Sequence, residues 1–239
     1  MTDREPGVAR ISWPRTWRVI RAIFPPIALF EDIADPADWE AIASAEAKTN
    51  PRVAESVGML DLVPPARRVS GPGASWAMAP FVHATPDRPS RFSDGRYGVY
   101  YAGSHPEVAI FETIHHHGRF MAATRQGAGW TSEFRELVGS VDAELHDIRD
   151  DPAFAACLDP DDYGHAQALG ARLRGTGADG IVYPSVRWRR GACIAAFWPD
   201  VVGVPRQARH FAYHWDGQRV DLVRELPDGP VFRVDGPAA

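Results

Sequence analysis

The apolar patterns along the chain predict an α+β protein built on a mixed β-sheet. Short aromatic and β-branched runs are interspersed with helical stretches in no regular βαβ alternation. Neither a G-x-G-x-x-G after a strand nor a G-x-x-x-x-G-K-[ST] occurs, so no Rossmann turn or P-loop is expected. With 239 residues, 45% of them hydrophobic, the chain can bury the core of one generous domain, or of one domain with an extension.

Residues 1 to 65 read as a helical extension packed on the domain that follows, 66 to 239. Asp35-Pro36-Ala37-Asp38-Trp39 gives a helix an acidic cap and first turn; Trp39, Ile42, Ala43 and Ala47 continue its stripe until Asn50-Pro51. A short helical piece over Val53 to Leu60 leads into Val63-Pro64-Pro65. Next come a glycine-proline loop and a strand predicted over Trp76 to His83.

Val99 to Ala102 is a short strand that follows a Ser-Asp-Gly turn and stops at Gly103. A helix follows, with Ser104 as cap, Pro106 in its first turn and Glu107 at the positive end of its dipole. Val108, Ile110, Phe111 and Ile114 form its apolar face, and Ala109, Glu112 and His116 lie on the neighbouring one. On helix pattern alone Glu112 is a solvated glutamate beside the seam. His115, His116 and His117 point about 100° apart and cannot converge on one ion, so no metal site is expected.

Gln126 to Thr131 is read as a loop, with strands over Phe134 to Val141 and Leu145 to Ile148. Asp159-Pro160-Asp161-Asp162 caps a helix that runs through Leu173 to Gly175. Gly180 to Tyr183 and Gly191 to Pro199 are strands, and Ser185 stands where the first opens into a loop. His210 to Val220 has the pattern of a hairpin around Asp216-Gly217.

Charged residues at 24% and a net charge of −5 are ordinary, and no basic stripe suggests direct nucleic-acid binding. The cysteines, Cys157 and Cys193, fit neither a zinc spacing nor a disulfide framework. Met1 to Arg10 is polar, and the apolar stretch from Ile20 to Phe30 is interrupted by Arg21, Pro25 and Pro26. Neither a secretory signal nor a membrane span fits, and a cytoplasmic protein is expected.

Two segments carry more specific information. RFSDGRYGVYYAGSHPEVAIFET (91 to 113) and, far downstream, GADGIVYPSVRWRRGACIAAFWP (177 to 199) resemble the motifs of the RES domain family, over roughly residues 60 to 205 with the motif-bearing part in about 75 to 205. The resemblance implies a fold similar to ADP-ribosyltransferases, consumption of NAD, and the role of toxin in a toxin–antitoxin pair. The family residues it carries over are Arg91, Tyr101, Glu112 and Ser185. This chain departs from the family where an additional arginine is expected on the first strand: Phe81-Val82-His83 stands at the place read as that strand. His83 is then expected to take over a phosphate or ribose contact, or Arg67 or Arg68 to swing in.

These residue types suit NAD as a substrate, with no bound cofactor. Nicotinamide leaves as a neutral molecule from a cationic pyridinium, so no second carboxylate is needed to protonate the leaving group. Glu112 is expected to stabilise an oxocarbenium-like ribose and orient the acceptor, and Arg91 to fork onto the pyrophosphate. Tyr101 stacks on nicotinamide, and Ser185 hydrogen-bonds nicotinamide or its ribose. Water, inorganic phosphate or a protein side chain is the acceptor, giving a glycohydrolase, a phosphorylase or an ADP-ribosyltransferase. The alternative is a non-catalytic module. The implied partner is an Xre-type antitoxin, in a toxin–antitoxin hetero-oligomer or beside a homodimer of this chain.

Overall fold

The computed structural model describes residues 4–31, 35–50, 52–227 and 231–233. In chain order the elements are β1 (Val8–Arg21), α1 (Ala28–Glu31), α2 (Trp39–Ala47), α3 (Arg52–Val57), α4 (Ala74–Val82), β2 (Tyr100–Gly103) and α5 (Pro106–Ala122). They continue with β3 (Trp130–Asp147), α6 (Gly164–Gly175), β4 (Gly180–Pro184), β5 (Ala192–Ala196), β6 (Arg206–Trp215), β7 (Val220–Leu226) and β8 (Val231–Arg233).

The eight strands make one mixed sheet in the order β1-β2-β5-β4-β3-β6-β7-β8, and β1 also pairs with β3. The pairings of β1, β2, β5, β4 and β3 therefore close on themselves, while β6, β7 and β8 continue from β3 as a meander. The ring of pairings is closed, but not tightly everywhere. Two contacts in the ring are slight: β3 runs parallel to β4 only at His146↔Ile181 and Asp147↔Val182, and β1 meets β2 at the single pair Trp17↔Gly103.

Alternation sends successive side chains to opposite faces, and here both faces are covered. On β5, Ile194 and Ala196 join Phe30, Trp39, Met78, Phe81 and Tyr100 in one apolar cluster. Cys193, Ala195 and Phe197 join Phe92, Leu169, Leu173 and Ile181 in another, under α6. A third cluster seats α5 through Ala109, Ile110 and Met121 on Val19, Phe134, Phe211 and Tyr213. Burial on both faces is why the runs at 180 to 183 and 193 to 197 are apolar throughout rather than alternating.

The α+β class predicted from the sequence is what the chain adopts, and α2, α5, α6, β2, β4, β5 and the β6–β7 hairpin lie where their patterns place them. Four local expectations are corrected. The stretch from Trp76 to His83 is not a strand but the buried helix α4. A run that is apolar on all sides gives no periodicity, and Ala74, Ala77, Met78 and Ala79 supply the helical preference that decides it. The two strands expected around Phe134 and Leu145 are one continuous strand, β3, because β1 pairs with it from Val8↔His146 to Arg21↔Phe134. Ser104 does not cap α5: His105 is the N-cap residue, and the Ser104 hydroxyl accepts from the Ala192 N–H at 3.0 Å.

The fourth correction concerns the first 65 residues. They hold the three short helices α1 to α3, but they also hold β1, which is a strand of the sheet and not a helical extension. Its ladder shifts register between Trp13 and Thr16, across Pro14 and Arg15. The bulge accommodates a proline, which lacks a ladder donor and hides the strand in the sequence. Pro51, expected to end α2, lies outside the described residues. No helix among the described residues is long and apolar enough to cross a membrane.

A test of this packing lies at α6. A Cβ at Gly170 would overlap the Phe92 carbonyl oxygen, whereas one at Gly175 would meet nothing within 4 Å. Gly170→Ala should therefore lower the stability by roughly 1–3 kcal/mol in a denaturant titration, because backbone and not a flexible side chain is in the way. Gly175→Ala should leave it unchanged or raise it.

Candidate functional site

Where β1 and β2 part beyond their one shared pair, a cleft of about 300 Å³ opens under α5. Its wall includes Arg18 and Trp17 of β1, Arg91 of the loop before β2, Tyr101 of β2, Glu112, Thr113 and His116 of α5, Tyr183 of β4 and Cys193 of β5. Glu112 is the one carboxylate among these lining residues.

Glu112 and Ser185 are 73 residues apart in the chain and meet here. The Ser185 hydroxyl donates to Glu112 Oε1 at 2.8 Å. The same Ser185 oxygen accepts from the backbone N–H groups of Trp188 at 3.0 Å and Arg187 at 3.3 Å. Ser185 is 5% exposed and is not part of the cleft wall. The structure thus brings its hydroxyl onto the carboxylate. The loop that follows clamps α5 on either side of Glu112. Trp188 stacks on Phe111 with ring centroids 4.6 Å apart, and Arg187 Nη2 donates to His115 Nε2 at 2.8 Å and to the Pro160 carbonyl.

Arg91 is held by what surrounds it. Its Nη1 donates to the carbonyls of Cys157 at 3.0 Å and Asp159 at 2.7 Å, and its guanidinium lies over the Tyr163 ring at 4.5 Å. Phe92, fully buried next to it, fixes the backbone. Tyr101 turns its ring to the cleft and uses its hydroxyl for the Arg91 loop, bonding Ser90 Oγ and accepting from the Phe92 N–H, each at 2.9 Å. Burial pushes the Tyr101 phenol up to about 12, against the opposing pull of Ser90, Phe92 and Arg91, so it stays protonated near neutrality.

A further arginine lines the cleft at Arg18, on β1, a strand that the sequence reading does not identify. Its Nη1 donates to the Tyr101 carbonyl at 2.9 Å, its guanidinium lies 4.8 Å from the Tyr100 ring centroid, and its buried Nε has no protein hydrogen-bond partner. Burial lowers its pKa, but a guanidinium remains charged.

His83, Arg67 and Arg68 are placed elsewhere. His83 ends α4, is exposed, and bonds the Ser56 carbonyl through Nε2 at 3.0 Å. Arg67 pairs with Asp179 and Asp200 at 2.7 and 2.8 Å. Arg68 is spent on Glu40 and the carbonyls of Val63, Pro36 and Leu60. None of the three lines the cleft. His116 does line it, and Glu-x-x-x-His, one helical turn, was the signal available for it. Among the described residues no group of three His, Cys, Asp or Glu side chains is arranged to hold a metal ion.

The profile of the RES domain matches residues 65–216. An uncharacterized protein of Sinorhizobium fredii, y4oC, is 28% identical over 214 residues, which is 89% of this chain and 87% of that protein. Among solved structures, that of the M. tuberculosis MbcT–MbcA toxin–antitoxin complex aligns with a TM-score of 0.43 and 11% identity, over 84% of this chain and 86% of the matched chain.

The Ser185 arrangement can be tested by stability alone. Ser185→Ala removes the donor to Glu112 and the acceptor of two N–H groups in a buried place, and should cost on the order of 2 kcal/mol in a denaturant titration. An unchanged midpoint would mean that the hydroxyl does not hold the carboxylate.

Proposed function

This chain belongs to the RES domain family, and from that membership and its cleft we propose that it cleaves the nicotinamide–ribose bond of NAD. The observation that carries this reading is the composition of the cleft wall: one oriented carboxylate, two guanidinium groups and an aromatic ring. A single carboxylate is what loss of a neutral nicotinamide requires, since a glycosidase that must protonate an oxygen uses two.

In this reading Arg18 and Arg91, which both line the cleft, hold the pyrophosphate. Tyr101 presents its ring to nicotinamide. Glu112 lies opposite the ribose and stabilises the positive charge that develops as the bond breaks. Ser185 keeps that carboxylate aimed and so acts through it. About 300 Å³ is at the small end of ligand pockets. It suits the nicotinamide riboside half, with the adenosine half across the mouth.

A non-catalytic module that only binds a partner in this cleft is the alternative, and a second guanidinium group in the wall, Arg18, favours a catalytic site. In the cell the activity is that of a toxin, restrained by an antitoxin of the Xre type whose own segment covers the cleft. An acidic segment facing Arg18 and Arg91 would imitate the dinucleotide's phosphates.

Incubating the purified chain with NAD and a metal chelator should release nicotinamide, and Glu112→Gln should reduce the rate by roughly 100-fold or more at unchanged fold. Arg18→Met should act mainly on KM, raising it on the order of tenfold. Full activity in Glu112→Gln, or turnover that stops with the chelator, would overturn the mechanism. Added inorganic phosphate separates hydrolysis from phosphorolysis by the product formed.

A further inference from the structure

Resting on the NAD reading above, we propose that His116 is a second catalytic residue, the group that takes the proton of the acceptor as it attacks the ribose. The three adjacent histidines of α5 have three different fates. His117 is buried, with its ring 4.9 Å from that of Phe134 and close to Tyr213 and Phe120. His115 accepts from Arg187 through Nε2. Of the three, His116 alone lines the cleft. Among the described residues neither of its nitrogens is engaged in a hydrogen bond, and its one ring contact is with His115 at 5.3 Å.

Position and charge both suit the role. Residues i and i+4 of a helix lie side by side, with Cβ atoms about 5–6 Å apart, so Glu112 and His116 face the same substrate from one turn of α5. The charged and titratable groups around His116 are Arg187 of the loop after Ser185, Arg91 of the loop before β2, and Arg119, His115 and Glu112 of α5 itself. The enclosing protein first, and then Arg187, Arg119 and Arg91, push its pKa down to about 4. At neutral pH the ring is uncharged and free to accept a proton.

The step is balanced without any further reactant. The bond between the ribose C1′ and the nicotinamide nitrogen breaks, and its electron pair stays on nitrogen, which leaves neutral. An oxygen lone pair of water forms the new bond to C1′, and one water proton passes to the free ring nitrogen of His116, which returns it to solvent. Water bonded to a cationic carbon is strongly acidic, so a weakly basic imidazole suffices. Glu112 is the poorer acceptor, because its charge is what steadies the ribose cation and protonation would remove it. An anionic nucleophile has no proton to give up and does not need His116.

The test is nicotinamide release by the wild-type chain, His116→Ala and His116→Gln between pH 4 and 8, with and without sodium azide. The wild type should lose activity as His116 protonates, toward about pH 4. Both variants should fall by roughly 100-fold in kcat in water, lack that acid limb, and recover when azide supplies the nucleophile, giving an ADP-ribosyl azide. A variant within twofold of wild type, a loss that azide does not lift, or recovery in His116→Gln without azide would each overturn the assignment of His116. A wild type with no NAD turnover at any pH overturns the NAD reading itself, and the two failures are thereby distinguished.

Discussion

Strands β1 and β2 share one residue pair and then diverge, and the candidate site depends on that divergence. Main-chain groups freed by a gap in a sheet need other partners. At the Tyr101 carbonyl the partner is a side chain, the Arg18 guanidinium, which reaches across from the neighbouring strand. One arginine thus satisfies the β2 backbone, packs on Tyr100 and still lines the cleft. A fully paired sheet would have no room for a ligand between these strands.

Helix α5 covers the gap and divides its surface among three tasks. Ala109, Ile110 and His117 bind it to the sheet, Phe111 and His115 are gripped by the loop from Ser185 to Gly191, and Glu112 and His116 face the cleft. The grip explains how a carboxylate on a helix is aimed from a strand end far away in sequence. Ser185 needs its two backbone N–H contacts to hold its own hydroxyl in place, and Arg187 and Trp188, which supply them, also hold the helix. Carboxylate, hydroxyl and loop therefore form one cooperative unit, in which loss of one contact loosens the others.

The arginines contribute in the same manner, each positioned by groups that are not part of the chemistry. Arg91 is braced by two carbonyls and a tyrosine ring, and its loop is tied down by the hydroxyl of Tyr101, whose ring lines the cleft. Such bracing lowers the entropy lost when a charged side chain meets a ligand. The cleft wall carries Arg18 and Arg91 against Glu112, a balance that favours an anionic ligand over a neutral sugar.

The sequence by itself determined the parts of this protein that rest on local pattern. Alternation, turn residues and helical spacing locate β2, β4, β5, α5 and α6, and the two motif segments bring out Arg91, Tyr101, Glu112 and Ser185. Tertiary structure decided what no window of sequence contains. An apolar run buried on every side became α4 because alanines and a methionine favour a helix and no periodicity speaks for either state. A proline within a bulge concealed β1, and with it Arg18, which lies outside the stretch matched by the family profile but completes the cleft. His83, Arg67 and Arg68 are the residue types a phosphate needs, yet each is spent on a partner that only folding brings near. Three identical neighbours, His115 to His117, differ in surroundings alone, because a helix turns each by about 100° toward a loop, a cleft or a core.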